Sequence, residues 1–131
     1  MFGCFIVFTL PCVDERPPLW IGHQLLAVSD IDRSANWWSA IGMREVERNE
    51  QAAILELRGG THLVLVPGEP KAGGAPFDLM VEDLDATHGD WSARGIQVGA
   101  IKEGRNHTSF EATDPDGYVV TVYSSHVVGQ V

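Results

Sequence analysis

Hydrophobic and polar residues alternate in short runs along most of the chain, and in two places the alternation changes to helical spacing. The run 21–28 alternates loosely, and apolar residues from Ile31 to Ile41 then recur every three or four positions. Asp30 is a common helix-capping residue type, and Gly42 is a common type at a helix end. This part of the sequence therefore predicts a strand followed by a capped helix.

Three further strand-like runs follow this helix, at residues 44–48, 52–58 and 61–66. They are joined by an Asn-Glu pair and a Gly-Gly pair, which are typical of tight hairpins. Residues 67–76 (PGEPKAGGAP) have the Gly and Pro content of a linker. The first half of the chain therefore predicts the order βαβββ.

The second half repeats this order. Residues 81–96 (VEDLDATHGDWSARGI) match residues 28–43 (VSDIDRSANWWSAIGM) at seven of sixteen positions, where chance gives about one match. The predicted elements of this half are a strand at 77–81, a helix capped by Asp83 and ended by Gly95, and strands at 96–102, 108–113 and 118–124, the last after the turn DPDG. Two βαβββ modules, each a sheet with one helix on its back, predict an α+β fold with a cleft between the open faces.

The length favours a single domain. The chain has 131 residues, and neither copy of a roughly 50-residue unit buries enough surface to fold alone. We predict one domain at residues 20–131, comprising module one (20–66), the linker (67–76), module two (77–125) and a tail (126–131). Residues 1–19 are predicted to be an N-terminal arm and a candidate extra strand, because the apolar FGCFIVFTL is followed by a Pro-rich break.

The charge balance narrows the choice of partners. The net charge is −9 and the nine Lys and Arg residues are scattered singly, so the sequence predicts no nucleic-acid partner and no membrane partner. An acidic surface favours cationic ligands. The apolar run at 2–10 is too short to span a bilayer, and two Cys residues without a secretory pattern predict a cytoplasmic protein with reduced thiols.

Three motifs together resemble those of a known superfamily. They are GHQLLAVSDIDRSANWWSAIGM at 22–43, FDLMVEDLDATHGDWSARGI at 77–96 and DPDGYVVTVY at 114–123. Because the three motifs occur in this order and at this spacing, the chain resembles the vicinal oxygen chelate superfamily. That superfamily includes glyoxalase I, the extradiol dioxygenases, fosfomycin-modifying enzymes and bleomycin-resistance proteins. The resemblance implies paired βαβββ modules that form a cupped, mostly antiparallel sheet with a central cleft and the helices outside, and a homodimer.

Enzymes of that superfamily usually hold a divalent metal between the first and fourth strands of the two modules. Their ligand positions fall on His23, Val64, Pro76 and Thr121 in this sequence. A catalytic metal typically needs about three protein ligands, and neither Val nor Pro offers a side-chain donor. The resemblance, with this departure, predicts that no metal or other cofactor is bound, as in the bleomycin-resistance-like branch.

Residues expected on the open faces of the sheets are candidates for ligand contact. With a strand period of two, His62 shares a face with Val64, and Asp78 shares one with Pro76. Trp37 has no aromatic counterpart in module two, so it is a candidate for stacking or for a dimer contact. The full set of candidate ligand-binding residues is His23, Leu25, Trp37, His62, Val64, Asp78, Met80, Thr121 and Tyr123.

Three hypotheses of function follow. The leading one is a metal-independent protein that binds and sequesters a small molecule, either aromatic or hydrophobic, with cationic and antibiotic-like compounds among the candidates. The sequence leans away from an enzyme, but the alternative is a metal-dependent lyase or dioxygenase of the glyoxalase or extradiol type, with His23, His62 and Asp78 as displaced ligands and Tyr123 as a proton donor. The third is a degenerate module that acts in an assembly through its N-terminal arm.

Overall fold

The structure is a computed structural model, and it describes residues 13–125. Residues 1–12, which include both cysteines and most of the predicted arm, and the predicted tail at 126–131 lie outside the described residues. Residues 13–22 form neither helix nor strand. Within residues 13–125, no helix has the length and apolar character needed to cross a membrane.

Module one forms an open four-stranded sheet with one helix packed on one face. Its elements are β1 (His23–Val28), α1 (Ile31–Ala40), β2 (Arg44–Arg48), β3 (Ala53–Glu56) and β4 (His62–Pro67), with a 3-10 turn at Arg58–Gly60 before β4. The strand order is β1-β4-β3-β2, in which β1 and β4 run parallel and the other neighbours run antiparallel. The predicted order βαβββ is therefore confirmed for this module.

The helix of module one follows from short-range signals. Asp30 precedes α1, and its carboxylate accepts a hydrogen bond from the backbone N–H of Arg33 at 3.0 Å. Ala35 and Trp38 are fully buried, so this side of α1 packs on β3 and β4. Because side chains alternate along a strand, the other face of the sheet is left open.

Module two forms the second sheet. Its elements are β5 (Gly73–Gly74), β6 (Leu79–Val81), α2 (Leu84–Ala93), β7 (Lys102–Glu103), β8 (Thr108–Thr113) and β9 (Tyr118–Ser124). The order is β5-β9-β8-β7, and β6 also pairs with β9. Both β5 and β6 run parallel to β9, whereas the other pairs are antiparallel. Asp83 caps α2 by accepting from the N–H of Ala86 at 2.9 Å, as Asp30 does in module one.

Two segments of module two differ from the prediction. The predicted linker 67–76 contributes β5, which pairs with the start of β9. The predicted strand 96–102 is reduced to an isolated bridge between Val98 and Ala112, followed by β7. Both differences depend on a pairing partner that is distant in the sequence, and a local pattern does not reveal such a partner.

A bulge interrupts the first strand of module two. Gly74 pairs with Val119 and Leu79 pairs with Val122. The chain therefore advances five residues from β5 to β6 while β9 advances only three. The two extra residues lie within residues 75–78, which contain a proline with no N–H to donate. The first predicted strand of this module is therefore shortened to β6.

The two modules share one hydrophobic core. It includes the matching tryptophans Trp38 and Trp91, which are 0% and 4% exposed and pack as the repeat predicts. The hydroxyl of Tyr118 in β9 donates a hydrogen bond to the carbonyl oxygen of Ala27 in β1 at 2.8 Å. The modules are therefore joined both through the core and through the ends of their strands.

Candidate ligand-binding site

The open face of sheet one carries His23 and Leu25 from β1 and His62 and Val64 from β4. These side chains alternate along their strands with buried residues that face α1. His23 pairs with His62, and Leu25 pairs with Val64. Four of the predicted site residues therefore lie together on one surface.

A row of polar side chains crosses this face near the start of β1 and β4. It takes one residue from each strand, in the order His23, His62, Glu56 and Arg44. The two imidazole ring centres are 5.7 Å apart, and Nε2 of His62 lies 3.2 Å from Oε2 of Glu56. The Arg44 guanidinium pairs with Glu56 and lowers the pKa of that carboxyl. Glu56 therefore stays ionised at neutral pH and orients the His62 ring.

The residues present do not fit a metal held in the manner of the superfamily. Of its four ligand positions, Val64 and Pro76 offer no side-chain donor. His23 and His62 lie side by side, but in residues 13–125 no group of three or more His, Cys, Asp or Glu side chains is arranged to hold a metal ion. The structure therefore does not bring Asp78 to the histidine pair as a third ligand.

A cavity of about 670 Å³ lies on the open face of sheet two, beside the bulge. Its lining residues are Gly74, Ala75, Pro76, Phe77, Asp78, Glu111, Val119 and Thr121. Small-molecule sites typically measure about 300 to 1,000 Å³, so the volume suits an organic ligand. The charged residues of this lining are the two carboxylates Asp78 and Glu111, which favour a cationic group.

Sequence reasoning placed Asp78 and Thr121 at the site but missed Glu111 and Phe77. Glu111 is paired with Thr121 across β8 and β9, so the hairpin register brings it to the cavity. Glu111 lies between the buried residues Phe110 and Ala112. This alternation could have predicted that its side chain lies on the open face of the sheet. Phe77 lies in the bulge, which no local pattern indicates.

Tyr123 lies two residues beyond Thr121 on the same face of β9. Its hydroxyl donates a hydrogen bond to Oδ1 of Asp78 at 3.4 Å. Burial, and then the charge of Asp78, raise the pKa of this hydroxyl, so Tyr123 remains a hydrogen-bond donor at neutral pH. The ring of His107 stacks on the Tyr123 ring, with ring centres 4.4 Å apart and planes inclined by 29°. His107 therefore contacts a predicted site residue, although it was not itself among the predicted site residues.

Two predicted residues lie at the margin of the site or away from it. Met80 pairs with Tyr123 and is 51% exposed. Trp37 lies on α1, edge-on to Trp38 with ring centres 4.8 Å apart. Because α1 packs on the buried face of sheet one, Trp37 is on the side away from His23, and its role in stacking or in a dimer contact stays a prediction.

A second cavity, of about 300 Å³, lies where β1 meets β5. Its lining residues are Leu25, Leu26, Ala27, Glu69, Lys71, Gly74, Pro76 and Tyr118. Gly74 and Pro76 border both cavities, so the segment predicted as a linker forms part of the wall of each. Leu25 is therefore the predicted site residue of module one that reaches the boundary between the modules.

A family model supports the resemblance seen in the sequence. The model described as Glyoxalase/Bleomycin resistance protein/Dioxygenase superfamily matches residues 20–122. Comparison with curated proteins finds no match.

Solved structures with this fold include an enzyme and two proteins concerned with antibiotics. A lactoylglutathione lyase from Agrobacterium tumefaciens is 20% identical, with a TM-score of 0.71 and coverage of 84% of this chain and 96% of that one. A bleomycin resistance determinant encoded on the transposon Tn5 is 19% identical, with a TM-score of 0.65 and coverage of 83% and 100%. TnmS3, an antibiotic binding protein from Streptomyces sp. CB03234, is 20% identical, with a TM-score of 0.69 and coverage of 84% and 98%.

At these identities the likeness to solved structures establishes the fold alone. The family model, in contrast, spans most of the chain, and it includes both modules and the strands that line the cavity. This chain therefore belongs to the glyoxalase/bleomycin resistance protein/dioxygenase superfamily.

Proposed function

We propose that this protein binds and sequesters a small organic molecule in the cavity of module two, without a metal ion. The observation that carries the proposal is the cavity itself, which has a volume of about 670 Å³ and is lined by Phe77, Thr121 and two carboxylates. This volume lies within the range of about 300 to 1,000 Å³ that is typical of small-molecule sites. The lack of side-chain donors at Val64 and Pro76 supports binding without a metal.

The lining favours an aromatic or hydrophobic ligand that carries a positive charge. Asp78 and Glu111 supply negative charge, and the net charge of the whole chain is −9. Val119 and Phe77 supply apolar surface. The two structural neighbours that are named for bleomycin resistance and antibiotic binding make antibiotic-like compounds a reasonable first choice of probe.

We also propose that the protein is a homodimer. Leu19, Trp20 and Ile21 are 82%, 70% and 64% exposed, and they form an apolar segment that leads into β1. The hydroxyl of Thr61 donates to the carbonyl oxygen of Ile21 at 2.6 Å and holds the end of this segment against the sheet. An exposed apolar segment of this kind is typical of an interaction surface, and a second copy of this chain would bury it in a dimer interface. Light scattering that gives the mass of one chain at micromolar concentration would overturn the dimer.

The binding proposal is tested with a variant that fills the cavity. Thr121→Trp adds a large ring to the cavity wall, and Ser92→Trp adds the same ring at an exposed position of α2 outside the lining. We expect the wild type to bind 9-aminoacridine, a planar fluorescent cation, and bleomycin. Thr121→Trp should weaken binding by at least about tenfold, or about 1.4 kcal/mol, whereas Ser92→Trp should bind as the wild type does.

Failure of both probes to bind the wild type would overturn this proposal, and so would either of two further results. One is equal affinity of the two tryptophan variants, because the ligand would then lie outside the cavity. The other is elemental analysis that finds one divalent ion per chain in the purified protein, removed by a chelator together with ligand binding. Equal affinity would overturn the proposal that the ligand binds in the cavity. A bound divalent ion would overturn the proposal that binding needs no metal.

A further inference from the structure

We infer that Tyr123 and Asp78 form a subsite for a planar heteroaromatic cation, and that the imidazole of His107 occupies this subsite in the free protein. The inference rests on the proposed function for its ligand and adds the part of the ligand that is recognised. Tyr123 would stack on the ring of the ligand, and Asp78 would bind its charged group. His107 would compete with the ligand for the same place.

The stacking partner of Tyr123 is held by a tight hairpin. β7 and β8 pair up to Glu103 and Thr108, and the backbone N–H of Gly104 donates to the carbonyl oxygen of His107 at 2.8 Å. This closed turn carries the His107 ring to a centre-to-centre distance of 4.4 Å from Tyr123. The loop thus delivers a planar nitrogen heterocycle to the face of Tyr123.

The charge of the subsite lies at the edge of the same tyrosine. The Tyr123 hydroxyl donates to Asp78, and Asp78 also lines the cavity. A ring that lies on Tyr123 and carries an N–H⁺ group can direct that group to Asp78 as a charge-assisted hydrogen bond. Stacking and charge therefore select the same kind of ligand, a planar ring that carries an N–H⁺ group.

The distance between the His107 and Tyr123 rings leaves no room for a ligand ring between them. Two aromatic rings that sandwich a third are about 7 Å apart, since each stacked pair takes about 3.5 Å. His107 and Tyr123 are already in stacking contact, with ring centres 4.4 Å apart. A ligand ring that stacks on this face of Tyr123 must therefore displace His107, and its apparent affinity is reduced by the fraction of molecules in which the imidazole is in place.

Removal of the imidazole tests the inference. We expect His107→Ala to bind 9-aminoacridine about three- to tenfold more tightly than the wild type, because the competing ring is gone. Asn106→Ala, in the same loop, is the matched control and should bind as the wild type does. Asp78→Asn should weaken binding of this cation more than binding of the neutral hydrocarbon anthracene. If acridine binds the wild type, unchanged or weaker binding by His107→Ala would overturn the inference.

A small probe separates this inference from the proposed function. 2-Aminoimidazolium, a planar cation that has N–H groups and the ring size of the missing imidazole, should shift the NMR signals of Tyr123 and Asp78 in His107→Ala and leave them unchanged in the wild type at the same concentration. If this occurs while acridine and bleomycin bind no form of the protein, the sequestration proposal fails and the subsite stands. If those ligands bind in a manner that Thr121→Trp abolishes but His107→Ala gains affinity for neither cation, the subsite fails and the sequestration proposal stands.

Discussion

Asp116, in the last turn of module two, accepts hydrogen bonds from both the backbone N–H and the hydroxyl of Ser29, at the end of the first strand of module one. Arg33 approaches the same carboxylate at 3.2 Å, and the Asp116 side chain is only 3% exposed. Glu82, the counterpart of Ser29 in the repeat, meets Arg58 of the corresponding turn of module one at 3.2 Å. Each module thus contacts the strand-to-helix junction of the other through its last hairpin turn, but the Asp116 carboxylate is buried whereas both side chains of the other contact are exposed.

The contact made by the buried Asp116 carboxylate should contribute more to stability than the exposed pair of Glu82 and Arg58. We expect Asp116→Ala to lower the free energy of unfolding by about 1.5 to 3 kcal/mol, because hydrogen bonds to a buried charge are lost. Glu82→Ala breaks the exposed pair, whose side chains are 71% and 74% accessible, and should cost less than about 1 kcal/mol. Urea unfolding of both variants gives the comparison. Equal losses would mean that the turn of module two has no special part in joining the modules.

Asp114 should make stability depend on pH. The residue is 5% exposed, and burial raises the pKa of its carboxyl, although the backbone N–H groups of Tyr118 and Asp116 lower it in part. A raised pKa in the folded state means that the stability contribution is complete below the unfolded pKa, about 3.9, and is lost as the pH rises through the folded value.

Asp114→Asn removes this titration while its amide oxygen can still accept from the same two N–H groups. The free energy of unfolding of the wild type, minus that of the variant, should therefore fall as the pH rises above about 4. Urea unfolding of both proteins at intervals up to pH 7 measures this difference. A difference that stays level or grows with pH would show that burial does not raise the pKa of Asp114.

The two helix caps should contribute similarly, because the repeat preserves them. Asp30→Ala and Asp83→Ala each remove the acceptor for one backbone N–H at the start of a helix. We expect each variant to lose about 0.5 to 2 kcal/mol of stability. Glu103→Ala, at an exposed position of β7, is the control and should change stability by less than about 0.5 kcal/mol. A cap variant indistinguishable from this control in thermal unfolding would contradict the capping role.

Glu111 should contribute electrostatic attraction to a bound cation. Its carboxylate lines the cavity and also lies 3.8 Å from Nζ of Lys102, so part of its charge is already balanced. We expect Glu111→Gln to weaken 9-aminoacridine binding by about two- to fivefold at low salt and to reduce the dependence of affinity on NaCl concentration. Glu103→Gln is matched in charge but lies outside the lining. Fluorescence titrations in which the two variants behave alike would remove Glu111 from ligand recognition.

Much of the fold could be predicted because its signals are short-range. A cap such as Asp30 and a helix-ending glycine act within one turn of chain, and the turn DPDG closes through its own residues, with Asp114 Oδ1 accepting from the N–H of Asp116. Alternation along β4 and β9 likewise identified the open faces that carry His62 and Thr121. For these features the residues that specify the structure lie beside one another in the sequence.

The cavity could not be predicted in the same way. Its shape depends on the bulge at 75–78, and the bulge exists only because β5 and β6 meet β9 in different registers. The stacking of His107 on Tyr123 depends on the hairpin of β7 and β8. Both are consequences of pairing between segments that are separated along the chain.

The sequence by itself determined the repeat, the two capped helices and the faces of the strands, because propensity, capping and period act over a few residues. It also determined that Val64 and Pro76 offer no ligand to a metal. Only the tertiary structure decided that His62 meets Glu56, that Glu111 joins Asp78 around the cavity, and that His107 lies on Tyr123. The physical reason is that these contacts arise from strand register and a bulge, which long-range pairing sets and local patterns do not record.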